Sequence, residues 1–174
     1  MTSNASARAI WRGCEWPNSP QRFPRVILSG MTVHLVKLCA GAESLEDLRT
    51  RIDYRVAANL AAGRGGVHDH VTRMHPRREP DLLDGGSIYW VIRGVILARQ
   101  KITGLERRTG RDGIERTAIL LDPKYVLTAP APRRAFQGWR YLTTEDAPRD
   151  LETRTQRKAP PPELSIELAE LGLL

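Results

Sequence analysis

DLLDGGSIYWVIRGVILARQ, residues 81–100, is the one long and strongly apolar stretch with its own punctuation, and the rest of the chain is read outward from it. Gly85 and Gly86 make a turn, after which Ile88, Tyr89, Trp90, Val91 and Ile92 form a β-branched and aromatic run. Gly94 interrupts the run, and Val95, Ile96 and Leu97 resume it. Such side chains fit a covered, pleated surface, so the stretch predicts a buried strand with a bulge or close backbone approach at Gly94. It holds neither a nucleophile beside a base nor a cluster of metal ligands, and so predicts a scaffold without naming a chemistry.

Upstream, TVHLVKLC (32–39) reads as a strand. Ser44 then offers an N-cap, with Glu46 and Asp47 in the first turn, where negative charge suits the helix dipole. Leu45, Leu48, Ile52, Val56 and Leu60 recur at spacings of three and four, which predicts an amphipathic helix over 45–62 ended by Gly63. The Gly-Arg-Gly-Gly run at 63–66 follows a helix, whereas a phosphate-cradling loop must precede one. VHDHVTRM (67–74) is expected to be a strand with His68 and His70 on one face, Asp69 opposite and His75 beyond the end. A His-x-His pair can hold a metal, but no Cys, Asp or Glu at a supporting spacing completes a set. Solvent-facing histidines, and no metal site, are the expectation.

Downstream, 80–84 can make one helical turn, and Thr109-Gly110-Arg111-Asp112-Gly113 supplies hairpin chemistry before a strand over 114–121. Asp122-Pro123 is expected to turn the chain ahead of a short strand at 125–127. Leu164, Leu168 and Leu171 give the tail helical spacing. The expected fold is α+β, a small mixed or mostly antiparallel sheet or partial barrel with one main amphipathic helix packed on it. Residues 1–30 are expected to be a disordered or dispensable extension, 31–151 a single domain, and 152–174 a Pro-rich arm with a short tail helix.

The 174 residues are 41% hydrophobic and 27% charged, ordinary for a globular protein, with a net charge of +7. Residues 64–140 carry 15 Lys and Arg against 8 Asp and Glu, so the basicity sits in the middle of the chain, as binding a polyanion such as RNA requires. Cys14 and Cys39 have no CxxC spacing, which argues against a zinc finger or disulfide framework. No apolar run approaches the ~18 residues of a membrane span, and no signal-peptide core is present, so a cytoplasmic location is expected. The candidate anion-binding residues are Arg93, Arg99, Gln100, Arg133, Arg134, Trp139 and Arg140, because paired guanidinium groups clamp phosphate and aromatics stack on bases. Phe136 and Tyr141 interleave with the last of these. Only Asp84 and the histidines offer a base, and no cofactor is implied. Three readings follow: an RNA- or nucleotide-binding module, a protein-interaction adaptor, or an enzyme acting on an anionic, nucleotide-like small molecule.

LLDGGSIYWVIRG (82–94) with Arg99-Gln100, and RRAFQGWRYL (133–142), resemble the signatures of an uncharacterised bacterial domain-of-unknown-function family. MTVHLVKLCAG from Met31 resembles the way its members begin, which implies Met31 as the natural start. The resemblance implies a family and no activity. The order of a helix, a Gly turn and a run of strands is more distantly similar to small barrels of the PUA and ASCH type, many of which bind RNA.

Overall fold

A computed structural model describes residues 31–151 and 161–173. The expected N-terminal extension, with Cys14, and the polar arm over 152–160 lie outside the described residues. The elements in order are β1 (Val33–Leu38), α1 (Leu45–Ala61), β2 (His68–Thr72), α2 (Glu79–Leu83), β3 (Ser87–Ile92), β4 (Val95–Thr109), β5 (Glu115–Pro132), β6 (Trp139–Thr143) and α3 (Pro162–Glu170). Six strands form one open sheet in the order β2-β5-β4-β3-β1-β6. Among the described residues, only β1 and β3 pair in parallel. The fold is α+β with a mixed sheet.

All six residues of β3 are buried, because both faces of this central strand are covered, and that is why its sequence runs apolar without alternation. Ile88, Trp90 and Ile92 enter the larger core with Leu48 and Ile52 of α1 and Ile166 of α3. Tyr89 and Val91 face the other way and meet Val36, Ile96 and Leu142. Gly94 does not mark a bulge within one strand. Ile92 pairs with Val95, and Arg93 (φ 45°) and Gly94 (φ 81°) form the two-residue turn of a hairpin. Positive φ at both central residues matches the right-handed twist of the flanking strands.

Helix α1 begins as the sequence implies. The Ser44 hydroxyl accepts from the Asp47 amide at 3.1 Å and the Asp47 carboxylate accepts from the Ser44 amide at 3.0 Å, a reciprocal cap. Its apolar stripe is shorter than expected, since Leu60 is 58% exposed while Asn59 is 1% exposed. The reason is β2, whose backbone needs a polar partner at that point. Asn59 Nδ2 donates to the Val67 carbonyl at 2.8 Å and to Asp69 Oδ1 at 3.0 Å.

Asp122-Pro123 does not turn the chain either. β5 runs through it for 18 residues, and the register steps from Gln100 opposite Tyr125 to Ile102 opposite Leu121. Residues 122–124 therefore bulge against Lys101 alone, where Pro123 has no N–H to miss and Asp122 Oδ1 accepts from the Lys124 amide at 2.9 Å. The tail helix docks through Ser165 and Ile166, leaving Leu164 and Leu171 exposed, so its buried stripe is not the leucine series.

Gly86 holds the turn before β3 through close backbone contacts. Its N–H donates to the Leu82 carbonyl at 2.9 Å and its carbonyl accepts from Ile102 at 3.0 Å. A Cβ at this position would collide with the Leu82 carbonyl oxygen and lie 2.6 Å from that of Val33. Backbone atoms cannot swing aside as side chains do, so Gly86→Ala is expected to cost about 3 kcal/mol, the upper end for overpacking. Urea unfolding of the variant checks this, with an unchanged midpoint counting against the close approach.

Candidate functional site

The bulge at 122–124 leaves the Asp122 carbonyl without a ladder partner, and the buried side chain of Gln100, 0% exposed, meets it. Gln100 Nε2 donates to Asp122 O at 2.8 Å. Its Oε1 then accepts from Trp90 Nε1 at 2.9 Å and lies 3.0 Å from His68 Nδ1. An indole N–H only donates and a carboxamide oxygen only accepts, so the proton on the His68 ring sits on Nδ1. Burial lowers the basicity of His68, partly opposed by its bond to Gln100, and the ring is neutral at pH 7.

Trp90 and His68, both held by the Gln100 carboxamide beneath them, line the floor of a cleft of about 580 Å³ at the carboxyl end of β1, between α1 and β2. Lys37 and Cys39 enter from β1 and the loop after it, Arg51, Tyr54 and Arg55 from α1, His68, Asp69 and His70 from β2, and Trp90 from β3. Arg51 is pinned by a 2.5 Å bond from Nη1 to the Ala40 carbonyl. That approach needs Gly41 (φ 72°), since a Cβ there would stand 2.9 Å from Arg51 Nη2. His68 and His70 lie 6.2 and 5.8 Å from the Trp90 ring, His70 edge-on.

The charges are unevenly compensated. Burial alone would raise the Asp69 carboxyl, but hydrogen bonds from Asn59 and Arg108 outweigh it and hold the group below the usual carboxylate range. Arg108 bonds Asp69 Oδ2 and Glu106 together, so the one acidic side chain lining the cleft is paired with a guanidinium shared with a second carboxylate. Lys37, Arg51 and Arg55 form no ion pair with a carboxylate among the described residues. Desolvation lowers the Lys37 ammonium, and desolvation followed by the Lys37 charge pushes His70 down to about 4. Burial pushes the Cys39 thiol up against the opposing effect of Arg51, which makes it a poor nucleophile. Among the described residues no three His, Cys, Asp or Glu are grouped to hold a metal ion.

The expected site residues separate. Arg93, in the β3-β4 turn, pairs with Glu170 of α3 at 2.6 Å. Arg99 and Gln100 are neighbours on β4 and so face opposite sides. Arg99 grips Asp150 with two bonds of 2.5 and 2.6 Å and bonds Ser87 Oγ at 3.0 Å. Arg133, Arg134 and Arg140 come together with Phe136 round a second hollow of about 440 Å³, where the Arg140 guanidinium stands 5.8 Å over the Phe136 ring. Trp139 is 7% exposed in the larger core on the other face, edge-to-face with Tyr141 at 5.1 Å. Its indole nitrogen has no hydrogen-bond partner among the described residues.

The expectation of solvent-facing histidines is also corrected. His68 is 6% exposed, His70 half-buried, and His75 Nδ1 lies 3.0 Å from the Thr117 hydroxyl. His68 and His70 lie under α1, and only the sheet order brings that helix over β2. Asp84, the carboxylate offered as a base, caps α2 and is exposed. Lys37, Arg51, Tyr54 and Arg55 were missed as site residues. One signal was present: Lys37 is the single charged residue in the inward phase Val33, Leu35, Lys37, Cys39.

Gln100→Leu should cost on the order of 3 kcal/mol, because it leaves two buried donors and one carbonyl unpaired. Chemical unfolding reads this directly, and a cost near zero would mean that water replaces the carboxamide. Stability should also fall with acid. His70 binds a proton near pH 6.5 when unfolded but only near pH 4 when folded, so between those values the unfolded state holds more protons. The contribution is complete above pH 6.5 and lost as pH falls toward 4, on the order of 2–3 kcal/mol, with His68 adding in the same direction. Thermal midpoints from pH 7.5 to 4.5 test this, and His70→Gln should flatten the profile.

No helix among the described residues is long and apolar enough to cross a membrane. No curated protein and no solved structure matches the chain, so the likeness to PUA and ASCH barrels gains no support. A family model matches residues 35–174, which takes in all but the first two residues of β1, every later element through α3 and every residue of the cleft. With four-fifths of its length so matched, the chain belongs to the family described as "Protein of unknown function (DUF1489)".

Proposed function

We propose that the domain binds a nucleotide-like anion in the cleft between α1 and the sheet. The observation that carries this is the convergence of Lys37, Arg51 and Arg55, three cations, on one concave site lined by a single acid, Asp69, which is already paired with Arg108. Its floor is aromatic, with Trp90 and two imidazole rings, and Tyr54 stands exposed at the rim. About 580 Å³ falls in the range of small-molecule pockets. The cleft opens at the carboxyl end of a strand that has a parallel neighbour, the position where open α/β sheets place ligands.

A second reading, an RNA strand lying along Arg133, Arg134 and Arg140, is favoured by the guanidinium of Arg140 over Phe136. The aromatic sharing that surface is Phe136, so stacking there would fall to it and not to Trp139.

Calorimetric titration with nucleoside monophosphates separates the two. Arg51→Ala with Arg55→Ala should weaken binding about tenfold or more, because ~1.4 kcal/mol per decade is less than two charged contacts supply. Both residues are exposed, so the fold should survive. No binding at millimolar nucleotide would end this reading. For the second, Arg133→Ala with Arg134→Ala should shallow the salt dependence of RNA affinity by about one log unit per lost phosphate contact.

A further inference from the structure

We propose that Nε2 of His68 is the hydrogen-bond acceptor by which the cleft selects its ligand, so that it favours nucleotide-like anions whose ring carries an exocyclic amino group. This rests on reading the cleft as a nucleotide site and specifies what that site would distinguish. The polar side chains lining it differ in what they offer, and the Thr50 and Tyr54 hydroxyls, which can donate and accept, are exposed to water. Lys37, Arg51 and Arg55 can only donate, and they suit the anionic part of a ligand. The Trp90 N–H is taken by Gln100, and the Asp69 oxygens by Asn59 and Arg108. His68 is different. Its Nδ1–H is held by Gln100, and Nε2 has no partner among the described residues.

The tautomer is fixed by three contacts together. Turning the Gln100 amide over would set its NH2 against the Trp90 N–H and its oxygen against the Asp122 carbonyl, two repulsions for no gain. Protonating Nε2 is opposed by burial of the ring and then by the charge of Arg55 from α1, while Lys37 of β1 and His70 share the cleft. Asp69, next along β2, favours the proton, but its charge is held by Arg108. His70 shares the cleft but cannot select in this way. Neither of its nitrogens has a partner among the described residues, so its tautomer is free to follow the ligand.

An acceptor on His68, a residue only 6% exposed that a bound ligand would close off from water, discriminates against the analogue that lacks the donor, here by about tenfold or more. Two probe pairs test this on the full chain by calorimetry: AMP against purine riboside 5′-monophosphate, and CMP against its 4-desamino analogue. At least one amino member should bind tenfold tighter than its partner. Gln100→Glu should erase that preference, because a carboxylate beside Nδ1–H favours the imidazolium and turns Nε2 into a donor. A measurement on the unaltered protein guards against a variant that fails to fold: nitrogen-15 correlation spectra of the free chain at pH 7 should place the His68 proton on Nδ1 alone. A proton on Nε2 overturns the inference. So do equal affinities within both pairs; if those affinities still fall with Arg51→Ala, the cleft reading stands. No binding of any of the four probes overturns both.

Discussion

The carboxamide of Gln100 is the point at which three strands are tied to one geometry. It has no solvent to fall back on, so each of its bonds must be made by protein: the carbonyl freed by the β5 bulge, the indole of β3 and the imidazole of β2. Neither the bulge nor the amide is stable without the other, since an unpaired buried carbonyl or amide costs as much as a typical core substitution. The edge strand β2, only five residues long and paired to β5 alone, gains through this contact an anchor to the centre of the sheet. The orientation of the cleft floor follows from the same three bonds.

Charge illustrates how far a one-dimensional count can mislead. The basic middle of the chain holds most of the surplus, but much of it is consumed locally. Arg78, Arg93, Arg99, Arg107, Arg108 and Arg116 each meet a carboxylate. The cations that remain directed at a concave surface in the cleft come from the first third of the chain, where the sequence is closer to neutral. Exposed ion pairs of this kind add little to stability, so their main effect is to remove positive charge from the field an approaching anion would meet.

What was legible in the sequence was governed by neighbours in sequence. The Ser44 cap, the one-turn helix α2, the TGRDG hairpin and the buried character of 88–92 each depend on residues within a few positions, and each was visible. Sheet order was not, because nothing in residues 67–74 announces that α1 will lie over them. The histidines were therefore placed in solvent and the cleft could not be assembled. Asp122-Pro123 has the composition of a turn, yet the long β4 partner holds the strand through it. Of the expected site residues, Arg133, Arg134 and Arg140 share a surface because they are close in sequence, while Trp139, one residue from Arg140, is on the other face because a strand alternates.

Strand β1 is the first described element of the chain, but it lies between β3, which comes some fifty residues later, and β6, the last strand described. Its parallel neighbour begins at Ser87 and its antiparallel neighbour at Trp139, so synthesis must proceed by some hundred residues before both edges of β1 are covered. Until Ser87–Ile92 is made, both backbone edges of the strand that carries Val33, Leu35 and Val36 lack their partners, and from then until Trp139–Thr143 is made one edge still does. Pairings of such long separation are slow to form and leave an edge open to other chains. The nascent polypeptide thus has a period of vulnerability set by topology, ended only when the Trp139–Thr143 segment emerges and closes the sheet on that side.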